Sequence, residues 1–134
     1  MTATRSKQVS LTVRGFAHSV DEVERLFVVP ATKKGTAGEP VKPGATSRLT
    51  RSFVKFAVPL NPETRLDEVV PKLLEALGGL HKISSARREV SPDYFEIDIT
   101  WPIKGSDEQE GGYFSKEVLA NLSQLECTLS FSFL

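Results

Sequence analysis

The sequence predicts an α+β fold: a single two-layer domain over residues 1–134, with a mainly antiparallel sheet of about four strands and two to three helices packed on one face. Three observations lead there. Four segments alternate apolar and polar residues, the period of a strand with one buried side. The segments between them repeat their apolar residues at helical spacing. Neither kind of segment is apolar all round, so sheet and helices must each bury one face against the other. At 134 residues the chain can build that core without a staple.

Residues 1–7 are polar and read as a disordered tail. From Gln8 to Phe16, Val9, Leu11 and Val13 alternate with Ser10, Thr12 and Arg14, which predicts the first strand. Ser19 and Glu22 form an S-x-x-E capping box, and Val20, Val23, Leu26 and Phe27 follow at helical spacing until Pro30. Residues 30–48 hold three prolines and three glycines with almost no large apolar side chain, which predicts a long surface loop. Lys33, Lys34 and Lys42 make that loop basic. The second strand spans residues 49–60, with Val54, Phe56 and Val58 on one face and Phe53, Lys55 and Ala57 on the other.

A wide apolar stripe, Leu66, Val69, Val70, Leu73, Leu74 and Leu77, predicts the longest helix, kinked or restarted at Pro71 and stopped by Gly78-Gly79. Residues 80–92 give no clear period. From Tyr94 to Ile103, Phe95, Ile97, Ile99 and Trp101 share one face of a third strand, and Tyr94, Glu96, Asp98 and Thr100 share the other. An acidic loop with Asp107, Glu108 and Glu110 follows.

The closing stretch is the most distinctive. Ser115 is an N-cap, Phe114 and Leu119 fit a hydrophobic staple, and Val118, Leu119, Leu122 and Leu125 form a stripe. At Cys127 the period changes from 3.6 to 2, with Cys127, Leu129, Phe131 and Phe133 on one face and Thr128, Ser130 and Ser132 on the other. The expectation is a clasp that buries Leu119, Leu122, Leu125, Leu129, Phe131 and Phe133. Burial of that kind puts Phe131→Ala at ~3–5 kcal/mol.

Composition is that of an ordinary globular chain, with 40% hydrophobic residues and 17 basic residues balanced by 17 acidic ones. A zero net charge argues against non-specific nucleic-acid binding, which calls for a basic face. The lone Cys127 excludes an internal disulfide and reads as a small buried hydrophobe. No apolar run reaches the ~20 residues of a membrane helix, and the first residues lack a signal-peptide core. The expectation is a cytoplasmic protein that touches neither membrane nor nucleic acid.

No catalytic motif emerges. Gly35, Gly38 and Gly44 lack the setting of a phosphate loop, and there is no G-x-S-x-G. His18 and His81 have no ligand partners at metal spacing, so neither metal nor cofactor is expected. Glu96 and Asp98 share a strand face, and cross-strand pairing with Arg14 or Lys55 is the plain reading of them.

The opening strand and capped helix, the run Pro30 to Gly35, the Leu-rich middle helix, and the pattern G-x-F-S-x-E-x-L-x-x-L from Gly112 to Leu122 together resemble the bacterial DUF4279 family. The resemblance implies a fold, supplies no catalytic residues, and suggests a small bacterial protein of the kind that acts as an immunity protein. The functional expectation is a non-enzymatic protein-binding module that neutralises a cognate toxin or effector. Its contact residues would be Lys33, Lys34, Lys42, Glu96, Asp98, Asp107, Glu108 and Glu110. Two alternatives stand beside it: an oligomeric structural or regulatory domain, such as a homodimer, whose Phe53 and strand edges could pair across a two-fold axis, and a small ligand-binding protein or hydrolase with a pocket between loop 30–48 and the sheet.

Overall fold

The computed structural model describes residues 7–102 and 112–133. In chain order the elements are β1 (Gln8–Arg14), α1 (Val20–Arg25), β2 (Lys33–Gly35), β3 (Phe53–Pro59), α2 (Leu66–Ala76), α3 (Leu80–Val90), β4 (Tyr94–Trp101), α4 (Lys116–Leu125) and β5 (Thr128–Phe133). The strands form one sheet of order β2-β3-β1-β4-β5. The three ladders β2–β3, β3–β1 and β1–β4 are antiparallel, and β4–β5 is parallel. A parallel neighbour needs a crossover rather than a hairpin, and α4 lies on that crossover.

The core confirms the alternation. Val9, Leu11, Val13, Val54, Phe56, Phe95, Ile97, Ile99 and Trp101 are buried on the helix side. They meet Val23, Val70, Leu73, Leu77, Ile83, Leu122 and Leu125 in a single cluster. Phe27, just beyond α1, packs on Phe56 with ring centroids 4.5 Å apart. Ser19 caps α1 by accepting from Glu22 N–H, and Ser115 caps α4 by accepting from Val118 N–H, as the sequence predicts. α2 ends in a Schellman turn: Gly79 N–H reaches Leu74 O at 2.7 Å and Gly78 N–H reaches Glu75 O at 3.2 Å. Both glycines sit near φ +100°, a conformation that a side chain opposes.

Several details differ from expectation. The sheet gains a fifth strand, β2, from within the presumed loop, and the unclear stretch after Gly79 is the full helix α3. Its stripe of Ile83, Ala86 and Val90 is interrupted by Ser84, which is buried too, and that mixture hides the period. α2 runs through Pro71 without restarting. Pro71 is exposed, so the carbonyl that loses its N–H partner is on the side open to water. Lys7 belongs to the fold, not to a tail: it is 5% exposed, its Nζ donates to Thr64 O at 2.9 Å, and it lies 4.3 Å from the Trp101 ring centroid.

The clasp needs the largest correction. Leu119 and Phe133 are exposed, and Leu129, Phe131 and Cys127 are only half-buried. The cause is topological. β5 is the outermost strand, so its apolar face receives cover from one side alone. Phe56→Ala, in the sheet's interior, should therefore cost ~3–5 kcal/mol. Phe131→Ala should cost about half that, and urea unfolding of the two variants checks the ratio.

Candidate functional site

The helix-free face of the sheet carries the concentration of polar groups. Pleating sends Ser10, Thr12 and Arg14 of β1, Lys55 of β3, Glu96 and Asp98 of β4, and Ser130 and Ser132 of β5 to that side. It is not a flat wet surface. Residues 36–49 fold back over it as a hairpin-like arm. Val41 N–H donates to Ser47 O at 2.9 Å, Leu49 N–H to Glu39 O at 2.8 Å, and Gly38 N–H to Leu49 O at 2.8 Å. Arg48 Nη1 caps the arm on Gly38 O, and Ser52 Oγ accepts from Ala37 N–H. The arm's base is close-fitted: a methyl group at Gly35 would lie 2.6 Å from Leu49 Cδ1 and 2.7 Å from Phe53 Cε1.

Arm and sheet enclose a groove of about 460 Å³. Its walls are Val41, Leu49 and Phe53; its floor is Ser10 and Thr12; its charges are Arg14, Lys33, Lys55, Glu96 and Asp98. The charges are sorted. Lys33 stands directly opposite Lys55 in the β2–β3 ladder, and Thr12 separates Lys55 from Glu96, since it pairs with both. Lys55 and the carboxylates thus sit on opposite sides of β1, two strand spacings or roughly 10 Å apart at the backbone, while Arg14 stands on β1 itself. Among the described residues no ion pair joins the two sides. Asp98 instead accepts from Ser130 Oγ at 2.7 Å, and Glu96 receives a weaker contact from the same hydroxyl at 3.5 Å. Arg14 lies over the Phe53 ring, 5.7 Å from its centroid.

The expected pairing of Glu96 and Asp98 with Arg14 or Lys55 is therefore not what holds them. The register places hydroxyl residues, not cations, beside the carboxylates. Of the predicted contact residues, the structure brings Lys33, Glu96 and Asp98 into one groove. Lys42 is exposed at the turn of the arm, where Ala45 N–H donates to Lys42 O. Asp107, Glu108 and Glu110 lie outside the described residues. Phe53, foreseen at a two-fold interface, forms a wall of the groove.

Lys34 has a different role from Lys33. It points to the helix side, where its Nζ meets Glu24 Oε1 at 2.9 Å and Asp21 Oδ1 at 3.1 Å. Glu24 also accepts from Ala31 N–H at 2.7 Å. Lys34 thereby ties β2 to α1. The Lys34 hydrogen bond, followed by that of Ala31, holds the Glu24 carboxyl below the usual carboxylate range. Glu24, then Asp21, raises the Lys34 ammonium above its ordinary value.

A second depression lies at the end of β1, lined by Phe16, His18, Arg51, Glu89 and Asp93, among others. Arg51 Nε is paired there with Asp93 Oδ2 at 3.4 Å, and His18 Nδ1 is buried without a hydrogen-bond partner among the described residues. His81 is exposed on α3. Cys127 is half-buried, its thiol donates to Leu122 O at 3.7 Å, and burial raises its pKa, which opposes thiolate chemistry. Among the described residues no helix is long and apolar enough to cross a membrane.

The family model for a domain of unknown function, DUF4279, matches residues 3–134. The chain belongs to the DUF4279 family. Neither the curated proteins nor the solved structures yield a match. For this DUF4279 chain the site must therefore be argued from its own residues. The sequence puts Arg14 and Lys55 on the open face as cross-strand partners of Glu96 and Asp98, not as groove cations facing Lys33. Their alternation with core residues was the available signal, but the Lys33–Lys55 apposition depends on a register that local sequence does not carry.

The Lys34 contact makes a pH-resolved prediction. A depressed Glu24 contributes stability above its unfolded value of about 4.3 and loses it as pH falls through the lower folded value. A raised Lys34 contributes below its unfolded value of about 10.4 and loses it as pH rises past the folded one. Lys34→Met should lower the melting temperature near neutrality, and the gap to the parent should close below about pH 4. A gap that persists in acid would place the contribution in packing instead of charge.

Proposed function

We propose that this DUF4279 chain is a non-enzymatic protein-binding module, and that the groove between the arm and the open sheet face is its contact surface. The observation that supports this reading is the sorted charge: Lys33 directly opposite Lys55 on one side, and on the other Glu96 and Asp98, which among the described residues form no ion pair. Like charges placed directly across a ladder destabilise it. Local breaches of folding rules of this kind concentrate where a chain serves a function.

A partner segment carrying an acidic and a basic side chain roughly 10 Å apart would satisfy both sides, which gives register as well as attraction. Val41, Leu49 and Phe53 would supply the apolar contact that such a segment needs beside its charges. A small protein with such a surface suits the role of an immunity or inhibitor protein, which occupies a surface of its toxin or effector.

The groove volume, about 460 Å³, also falls in the range of small-molecule sites and favours a bipolar small ligand as a second reading.

The test is calorimetric titration with the products of the neighbouring genes, using the parent, Lys33→Glu/Lys55→Glu and Glu96→Lys/Asp98→Lys. The expected result is a complex weakened at least ~100-fold by either pair of reversals and weakened again by salt. Equal affinity across all three proteins would remove the groove from the interface. No binding by any neighbouring product would count against the protein-binding reading and leave the small-ligand one.

A further inference from the structure

The two edges of the sheet are built in opposite ways. At one end β2 is three residues long, bears Lys33 and Lys34, and follows Pro30. Short length, lysine and nearby proline are the standard means of blunting an edge. At the other end β5 is six residues long and pairs on one side with β4. Among the described residues nothing pairs with its outer side. From Cys127 to Leu134 the sequence holds no charge and no proline. The apolar face of β5 is also left open. Phe131 packs on Phe114 at 5.9 Å and stacks in parallel on Phe133 at 5.5 Å, yet Phe133 remains 57% exposed. Leu119 and Tyr113 are exposed on the segment that leads to this strand.

We infer that the outer edge of β5 is a self-pairing edge, occupied by β5 of a second copy of this chain, antiparallel across a two-fold axis. Three arguments select a second copy over a foreign strand. An uncharged strand can face itself without setting like charge against like, which any charged residue at the two-fold would do. The chain's formal net charge is zero, so two copies carry no long-range repulsion to overcome. Finally, side chains alternate with a period of two, so an antiparallel pair centred on Phe131 keeps each face with its own kind. Phe131 then meets Phe131, Leu129 meets Phe133, and Ser130 meets Ser132. The result is a continuous sheet of twice the five strands, joined by an isologous contact, with the groove of each copy on the helix-free face. The inference does not depend on what the groove binds.

Light scattering on the eluting protein, with sedimentation from ~1 to ~200 µM, tests it, because a dimer's population follows concentration. The expected mass is twice 14.8 kDa for the parent. Phe133→Lys should return it to 14.8 kDa with an unchanged circular dichroism spectrum, since this side chain is exposed in the monomer. Hydrogen exchange on the parent provides a readout that needs no variant: outward amides of Leu129–Phe133 should slow by ~10-fold or more as the dimer forms. A parent that stays at 14.8 kDa throughout the range overturns the proposal. A dimer whose β5 amides exchange at the monomer rate does so as well, as does β5 protection that arises only with a different protein.

Discussion

The structure depends on one constraint: β1 is the central strand, and it buries only one of its two faces. Val9, Leu11 and Val13 have almost no exposure, and β3 and β4 flank them on either side. Every helix brings its apolar stripe to that face, because no other large apolar surface is on offer. The opposite face must then be filled by residues that tolerate water. Ser10 and Thr12 meet this need in the middle, and Arg14, Lys55, Glu96 and Asp98 around them. Ser10 is nevertheless only 3% exposed. Neighbouring side chains and the arm shelter it, so the open face is a groove with a floor rather than a plain surface.

The fold was legible where periodicity was long and clean. β1, β3 and β4 each alternate for seven or more residues, and their buried sets follow the sequence pattern except that Ser10 is buried as well and Val58 only partly. Legibility failed where the pattern was short or mixed. β2 has three residues, too few to show a period, and it exists because β3 offers it a ladder. α3 carries a buried serine among its apolar positions. The site was half-legible for a related reason. Lys33 and Lys34 are adjacent and look alike in sequence, yet a strand sends neighbours to opposite faces. One lines the groove; the other binds α1 from the helix side. Composition marks both as basic, and only the strand assignment separates them.

The closing segment shows how strand order limits sequence reading. The caps, the stripe and the switch of period at Cys127 were all readable, and α4 and β5 form where they indicate. How deeply they are buried was not readable, because burial depends on which strand is outermost. A central β5 would have hidden Phe131 and Phe133 as Phe95 and Ile97 are hidden. The turn between α4 and β5 adds to this. Glu126 adopts φ 50°, a left-handed conformation that glycine would take at less cost. It ends α4 and sets β5 parallel to β4 at the sheet's rim.

Zero net charge hides an uneven allocation of partners. Away from the groove, opposite charges find each other: Lys34 with Glu24 and Asp21, Arg51 with Asp93, and Arg65 with Asp67 and Glu68. These pairs are partly or largely exposed, so each contributes little to stability. Their arrangement still shows that pairing was available to the chain wherever geometry allowed. In the groove it was equally available in composition, since three cations and two carboxylates line one space. The register withholds it from Lys33 and Lys55 by placing β1, with its hydroxyls, between them and the carboxylates, while Arg14, on β1, lies over the Phe53 ring. Swapping Thr12 for a charged residue would be enough to neutralise one side within the fold. A threonine at that position keeps the two sides apart and keeps both available to a partner.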